Sequence, residues 1–287
     1  MLQLHYAVLG HPIGHTMSPF IHNRLFALDG LSAEYVVMDV SPAELPDVER
    51  GILRQLDGYN LTIPLKTAIL PLLDRLDGKA RLYGSVNTVK NGAIRTGYST
   101  DPFGFCGSLK DAGIPLSGRT VVIGCGGAAR VMVFEAVLSG AEVVLAVRDS
   151  GLIRAETLAE DARKVVPDAR ITVCSLNTLN HSVQEIDLLV NATPVGMFPN
   201  IGECPVAPQV LSRTRAVFDA IYNPQETVLM RQAAACGATV CGGMRMLVLQ
   251  AAQAHRIWHG ATYQKDDIDL VCAEASEELK RKFPPAF

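Results

Sequence analysis

The stretch from Thr120 to Val147 narrows the possible folds more than any other part of the chain. Thr120-Val121-Val122-Ile123 is a β-branched apolar run, and Gly124-Cys125-Gly126-Gly127-Ala128-Ala129-Arg130 is a glycine-rich loop. An apolar helical stretch then runs to Leu138, and residues 142–147 form a second apolar run. Strand, glycine loop, helix and strand in that order are the context that a dinucleotide-binding turn requires. In Gly124-x-Gly126-x-x-Ala129 the glycines permit a tight turn and close backbone approach, and the free N–H groups of the following helix face a pyrophosphate. Alone, such a pattern is also an ordinary glycine-rich turn. Further apolar runs at 171–174, 187–191 and 216–221 extend a parallel sheet buried on both faces.

The chain ahead of this stretch alternates short strand-like and helix-like segments. Tyr6-Ala7-Val8-Leu9 reads as a strand ended by Gly10, and Ser18-Pro19 opens a helix with Ser18 at the N-cap and Pro19 in its first position. Residues 34–40 are strand-like, 43–56 helix-like and 59–63 strand-like again, a βαβ layout. Lys90-Asn91-Gly92 reads as the tight turn of a hairpin. A linking helix is expected over 102–112, and after Gly242-Gly243 the chain is helical to its end. The fold expected is α/β with two domains. Residues 1–104, completed by C-terminal helices in 243–287, form an α/β substrate domain, and 105–242 form a Rossmann-type NAD(P)-binding domain with a parallel sheet.

A length of 287 residues and a hydrophobic fraction of 48% suit two buried cores. The 26 basic and 29 acidic residues are mixed along the chain and leave a net charge of −3, which gives no footprint for nucleic acid or an anionic membrane. No signal-like start and no stretch of about 18 uncharged apolar residues is present, so a cytoplasmic protein with a small-molecule partner is expected. The seven cysteines are odd in number and contain no C-x-x-C pair, the pattern of reduced, mostly buried thiols. No metal is expected. Cys236 with Cys241, and His11, His15 and His22, match no zinc spacing, while His255 and His259, one turn apart, read as a helical surface without a third ligand.

Cofactor choice turns on the end of the second strand, where Arg148 is followed at once by Asp149. A guanidinium suits the 2′-phosphate of NADP and a carboxylate the ribose hydroxyls of NAD. NADP is slightly favoured. A hydride donor that reduces a ketone leaves an alkoxide in need of a proton, and a lysine beside a carboxylate is a tunable acid. Lys66, ending Asn60-Leu61-Thr62-Ile63-Pro64-Leu65-Lys66, and Asp101 are candidates for that pair. Taken singly, Lys66 also reads as a solvated residue and Asp101 as an N-cap before Pro102.

Asn60-x-Thr62-x-Pro64-x-Lys66, Val86-Asn87-Thr88, Thr100-Asp101, Gly124-x-Gly126-Gly127-Ala128-x-Arg130 and Gln250 occur in the order of the shikimate/quinate dehydrogenase family. The chain closely resembles that family from Gly10 to about Gly260. The resemblance implies an NAD(P)-dependent oxidoreductase of aromatic amino acid biosynthesis that interconverts shikimate or quinate and its 3-dehydro form. It makes Lys66 and Asp101 the catalytic pair, and Asn60, Asn87 and Gln250 holders of the ring hydroxyls with Thr62 beside them. Thr16, Ser18 and Tyr222 match positions that reach the carboxylate. Gly124, Gly126, Gly127, Ala128, Arg130, Arg148, Asp149, Thr193 and Gly243 are the expected cofactor contacts. A monomer or homodimer is expected.

Several positions depart from the family pattern. Thr16 replaces the first of two serines, Tyr98-Ser99-Thr100-Asp101-Pro102-Phe103 puts bulk near the aspartate, and Arg245 replaces a common glycine. These leave room for a paralogue acting on another hydroxylated cyclic acid. A non-catalytic sensor on the same scaffold would have no need of a proton-transfer pair.

Overall fold

Tyr6 to Gly10 are all buried within β1 (Leu4–Gly10), because this strand is flanked on both sides. It runs parallel to β2 (Ala33–Asp39) and β3 (Gly58–Leu61). With β4 (Arg75–Leu76), β5 (Thr88–Lys90) and β6 (Thr96–Tyr98) they make a six-stranded sheet in the order β2-β1-β3-β5-β6-β4, in which β5 is antiparallel to β3 and β6. The helices along this part of the chain are α1 (Ser18–Leu28), α2 (Leu45–Arg50), α3 (Leu65–Ala68) and α4 (Gly78–Tyr83).

The computed structural model describes residues 3–14, 16–181 and 184–283. The chain divides into two compact units, Met1–Phe103 with Leu247–Phe287, and Gly104–Met246. It passes between them within α5 (Asp101–Asp111) and returns within α11 (Gly243–His259), which α12 (Lys265–Lys282) follows.

In the first unit the period of two along β1 divides its side chains between two cores. Ala7 and Leu9 join Tyr59, Leu61, Leu65 and Val89. Tyr6 and Val8 join Phe26, Tyr35 and Trp258. The Trp258 ring stacks 4.4 Å from Tyr6, and its indole N–H donates to the Val89 carbonyl at 2.9 Å. That placement requires glycine at 58, because a Cβ there would lie 2.4 Å from the indole nitrogen.

The second unit holds β7 (Arg119–Ile123), α6 (Gly127–Leu138), β8 (Glu142–Val147), α7 (Leu152–Val165), β9 (Ile171–Ser175), α8 (Leu176–His181) and β10 (Leu188–Asn191). They are followed by α9 (Pro208–Leu211), β11 (Ala216–Asp219), α10 (Val228–Ala235) and β12 (Thr239–Gly242). The six strands are parallel in the order β12-β11-β10-β7-β8-β9. This is a doubly wound sheet, with the order reversing beside β7, where ligands of such sheets bind. Every residue of β10 and β11 is buried, as their unbroken apolar runs require, while edge strand β9 is only partly covered.

Local expectations failed where side-chain chemistry was read without its surroundings. Ser18 is inside α1, and Met17 occupies the N-cap without a side-chain cap bond. The helix expected over 43–56 breaks at Gly51 into α2 and a 3₁₀ turn, Ile52–Gln55. The hairpin exists, but Lys90 pairs with Thr96, so residues 91–95 form a longer connection than the Asn-Gly turn suggested. Among the described residues no helix is long and apolar enough to cross a membrane.

The histidines overturn one further reading. His255 is fully buried, not on a helical surface, and His22 is buried beside it, with 3.0 Å between His22 Nδ1 and His255 Nε2. Asp29 Oδ2 accepts from the Tyr263 hydroxyl at 2.5 Å and lies 2.9 Å from His259 Nε2 and 3.2 Å from His255 Nδ1. These atoms of Asp29, His255 and His259 lie within 4.8 Å of one another, a grouping with metal-ligating chemistry that sequence spacing missed because Asp29 is remote in the chain. His15 lies outside the described residues.

Burial, opposed by the hydrogen bond and charge of Asp29 and reinforced by the neighbouring His259, pulls the His255 imidazole down to about 4 from its ordinary 6.5. On acidification the unfolded chain therefore takes up this proton before the folded chain does. Stability from this group is complete above pH 6.5 and falls as the pH drops toward 4, at up to about 1.4 kcal/mol per pH unit. His255→Gln should accordingly lose less thermal stability between pH 7 and pH 5 than the wild type. Parallel melting curves against pH for the two proteins would contradict this.

Candidate active site

Five chain segments of the first unit converge on one carboxylate. Asp101, 3% exposed in its side chain, opens α5, and Lys66 stands in α3 just after β3. Lys66 Nζ donates to Asp101 Oδ2 at 2.6 Å. Asp101 Oδ1 receives Asn87 Nδ2 at 2.8 Å. With both oxygens engaged this way, the reading of Asp101 as a simple N-cap gives way to a buried, paired carboxylate. A charge so covered from water is costly unless it is paired and hydrogen-bonded.

Asn87, just before β5, is the hub of the set. Its Nδ2 also lies 2.9 Å from Thr100 Oγ1 and 3.1 Å from Gln250 Oε1, and its Oδ1 accepts the Thr100 N–H at 2.7 Å. Gln250 comes from α11, far away in sequence. Asn60, on β3, donates Nδ2 to the Asn87 carbonyl at 3.1 Å and to Thr88 Oγ1 at 3.0 Å, and accepts the Tyr35 hydroxyl at 2.7 Å. Lys66, Asp101, Asn87, Gln250 and Asn60 are thus joined in one hydrogen-bonded set.

The other residues expected at the substrate are placed differently. Thr62 follows β3 half-buried, and its methyl group fills the space that a Cβ on Gly10 would enter at 2.5 Å. Thr16 Oγ1 accepts the Ser18 N–H at 3.1 Å, so those two hydroxyl residues are coupled to each other. Among the described residues no hydrogen bond joins them to the Lys66 set. Tyr222 belongs to the second unit, half-buried on the segment after β11.

In that unit the glycine loop has the conformation the fingerprint needs. Gly124 has φ +105°, and its N–H donates to Ala146 at 3.0 Å. Gly126 caps α6 without a side-chain bond, and a Cβ on Gly126 or Gly127 would meet nothing within 4 Å. The turn therefore leaves exposed backbone and open space at a helix N-terminus, which fits a dinucleotide pyrophosphate. Ala128 is half-buried in the first turn. Arg130 Nη1 donates to Asp161 at 2.9 Å, and its guanidinium lies 5.0 Å from the Phe134 ring centre, ties that hold it against α7 and its own helix. Arg148 and Asp149 are both exposed at the end of β8, and among the described residues neither side chain has a polar partner.

Asp219 was invisible in the sequence and organises loops within this second unit. It is fully buried at the end of β11, and burial pushes its carboxyl up to about 6 against hydrogen bonds from Thr227, the Ile221 N–H and Asn191. Asn191 in turn accepts the Thr193 hydroxyl at 2.7 Å. One carboxylate thereby fixes the strand ends that precede both Thr193 and Tyr222. Gly243 is needed for a related reason, since its Cβ would lie 2.2 Å from the Ala220 carbonyl oxygen. Arg245 forms an ion pair with Asp111, which binds the start of α11 to the end of α5.

Residues 8–89 match the family model described as shikimate dehydrogenase substrate binding domain. Shikimate dehydrogenase (NADP(+)) of Caldanaerobacter subterraneus is 36% identical over 264 residues, 91% of this chain and 93% of that protein. The shikimate 5-dehydrogenase of Thermus thermophilus, solved with NADP(H) and shikimate, has a TM-score of 0.80 at 34% identity, covering 95% of this chain and 99% of that one. Quinate dehydrogenase of Corynebacterium glutamicum, solved with NAD, has a TM-score of 0.84 at 27% identity, with 95% and 99% covered.

Gly243→Ala should lower the melting temperature of the ligand-free protein, at a cost of roughly 1–3 kcal/mol for overpacking. A variant that melted like the wild type would show that the strand end can move aside.

Proposed function

Because the chain belongs to the shikimate dehydrogenase family, we propose that it oxidises shikimate to its 3-dehydro form with NADP, and catalyses the reverse reduction. The observation that carries this reading is the buried Lys66–Asp101 pair held by Asn87 within reach of Gln250. A dinucleotide whose pyrophosphate sits at the glycine loop would supply the hydride acceptor or donor through its nicotinamide.

Every other part of the reaction falls to side chains. In the reducing direction Lys66 Nζ donates a proton to the oxygen that develops negative charge, and in the oxidising direction it takes that proton from the hydroxyl. Asp101 holds the ammonium in place. Asn87, by occupying the other carboxylate oxygen, keeps Asp101 turned toward Lys66. Asn60, Gln250 and Thr62 surround the ring hydroxyls, while Thr16, Ser18 and Tyr222 hold the carboxylate. Arg148, exposed and without a polar partner among the described residues, suits a 2′-phosphate. The NADP named for the curated relatives supports the same choice.

A second reading is favoured by Thr16. Where the family pattern has a serine, Thr16 adds a methyl group beside the proposed carboxylate site, and quinate, unlike shikimate, carries a hydroxyl at the adjoining C1. A quinate dehydrogenase is among the structural neighbours.

An initial-rate matrix of NADP and NAD against shikimate and quinate separates these readings. The expected result is the highest kcat/KM for shikimate with NADP. Preference for quinate would establish the second reading, and no turnover with any pair would remove the substrate class. Lys66→Ala should cut turnover by at least about 10²-fold, the usual loss with a general acid. If the variant turned over like the wild type, Lys66 would have no part in the proton transfer.

A further inference from the structure

We propose that Tyr35 is a positioning residue that fixes the carboxamide of Asn60, so that Asn60 offers the substrate only a hydrogen-bond acceptor. The proposal rests on the reading of Asn60 as a substrate residue and adds what that residue selects.

The argument begins with an atom that has no choice. Asn60 lies 3.1 Å from the backbone carbonyl of Asn87, and a carbonyl can only accept. The amide nitrogen of Asn60 must therefore face it, with its second hydrogen directed to Thr88 Oγ1 at 3.0 Å. Both N–H groups are then used. The oxygen Oδ1 faces Tyr35, whose hydroxyl must donate, and does so at 2.7 Å. What remains free on the carboxamide is one lone pair of Oδ1. Asn60 is only half-buried, so that lone pair can meet a ligand. It fits a ring hydroxyl that donates and rejects a group that can only accept.

Tyr35 is held firmly enough to impose this. It is 6% exposed on edge strand β2, level with Tyr6 of β1, while Asn60 is level with Val8. The side chain thus reaches across β1 to β3. The ring of His22 stacks on it at 4.2 Å with planes 10° apart. His22 is fixed in turn by His255 at 3.0 Å, and His255 by Asp29 at 3.2 Å and Tyr263 at 2.9 Å. This buried polar chain leads to Tyr35.

Tyr35→Phe keeps the ring and deletes only the hydroxyl. The expected result is a rise in KM for shikimate of roughly five- to ten-fold, the effect of losing one oriented hydrogen bond. The KM for NADP and the melting temperature should change little. In an Asn60→Ala background the same substitution should have no further effect on KM. An unchanged KM in the single variant, or a full effect in the Asn60→Ala background, overturns the proposal.

A wild type that oxidised no shikimate would instead defeat the functional reading. The positioning role would still be decided by the Asn60 side-chain amide in a ¹⁵N–¹H spectrum of the ligand-free protein. Its hydrogens should exchange faster in Tyr35→Phe, and unchanged exchange overturns the proposal.

Discussion

A carboxylate covered as completely as Asp101 has to find its partners within the protein, and much of the first unit is arranged to supply them. Lys66 meets one oxygen and Asn87 the other, from the ends of neighbouring segments that the sheet order β1-β3-β5 brings together. Asn87 can serve only because its own oxygen is bonded by the Thr100 N–H. The geometry of the pair is thus over-determined from both sides. In the reaction proposed above, such rigidity would serve proton transfer, since catalytic groups act through pre-set positions.

The second unit solves a comparable problem with a different buried acid. Asp219 draws its bonds from Asn191, Thr227 and the Ile221 backbone, and so fixes loops at the ends of β10 and β11. Close approaches at Gly124 and Gly243 bring the backbone of those same strand ends near their neighbours. Gly126 and Gly127, by contrast, have empty space where a side chain would stand. Of these four glycines, two serve packing and two leave room for a ligand.

The glycine loop, the apolar strands around it and the ordered motifs from Asn60 to Gln250 were legible because each rests on local residue order. Residues whose roles depend on distant partners were not. Tyr35 gives no local sign that it reaches Asn60, and Asp29 no sign that it meets His255 and His259. Arg245, which stands where the family pattern has a glycine, gives no local sign that it pairs with Asp111. The N-cap expected at Ser18 failed similarly, since a hydroxyl beside a proline is a cap signal only if the chain enters the helix at that residue.

By itself the sequence determined that the chain would form two α/β cores, one around a glycine-turn crossover, and that a lysine and an aspartate were available for proton transfer. Apolar periodicity and turn chemistry act over a few residues, so they can be read along the chain. The tertiary structure decided which polar atoms face one another: Asp101 between Lys66 and Asn87, Asn60 turned by Tyr35, and Asp219 beneath its loops. Hydrogen bonding and burial depend on distances of about 3 Å between groups remote in sequence, and only the packed strands and helices set those distances.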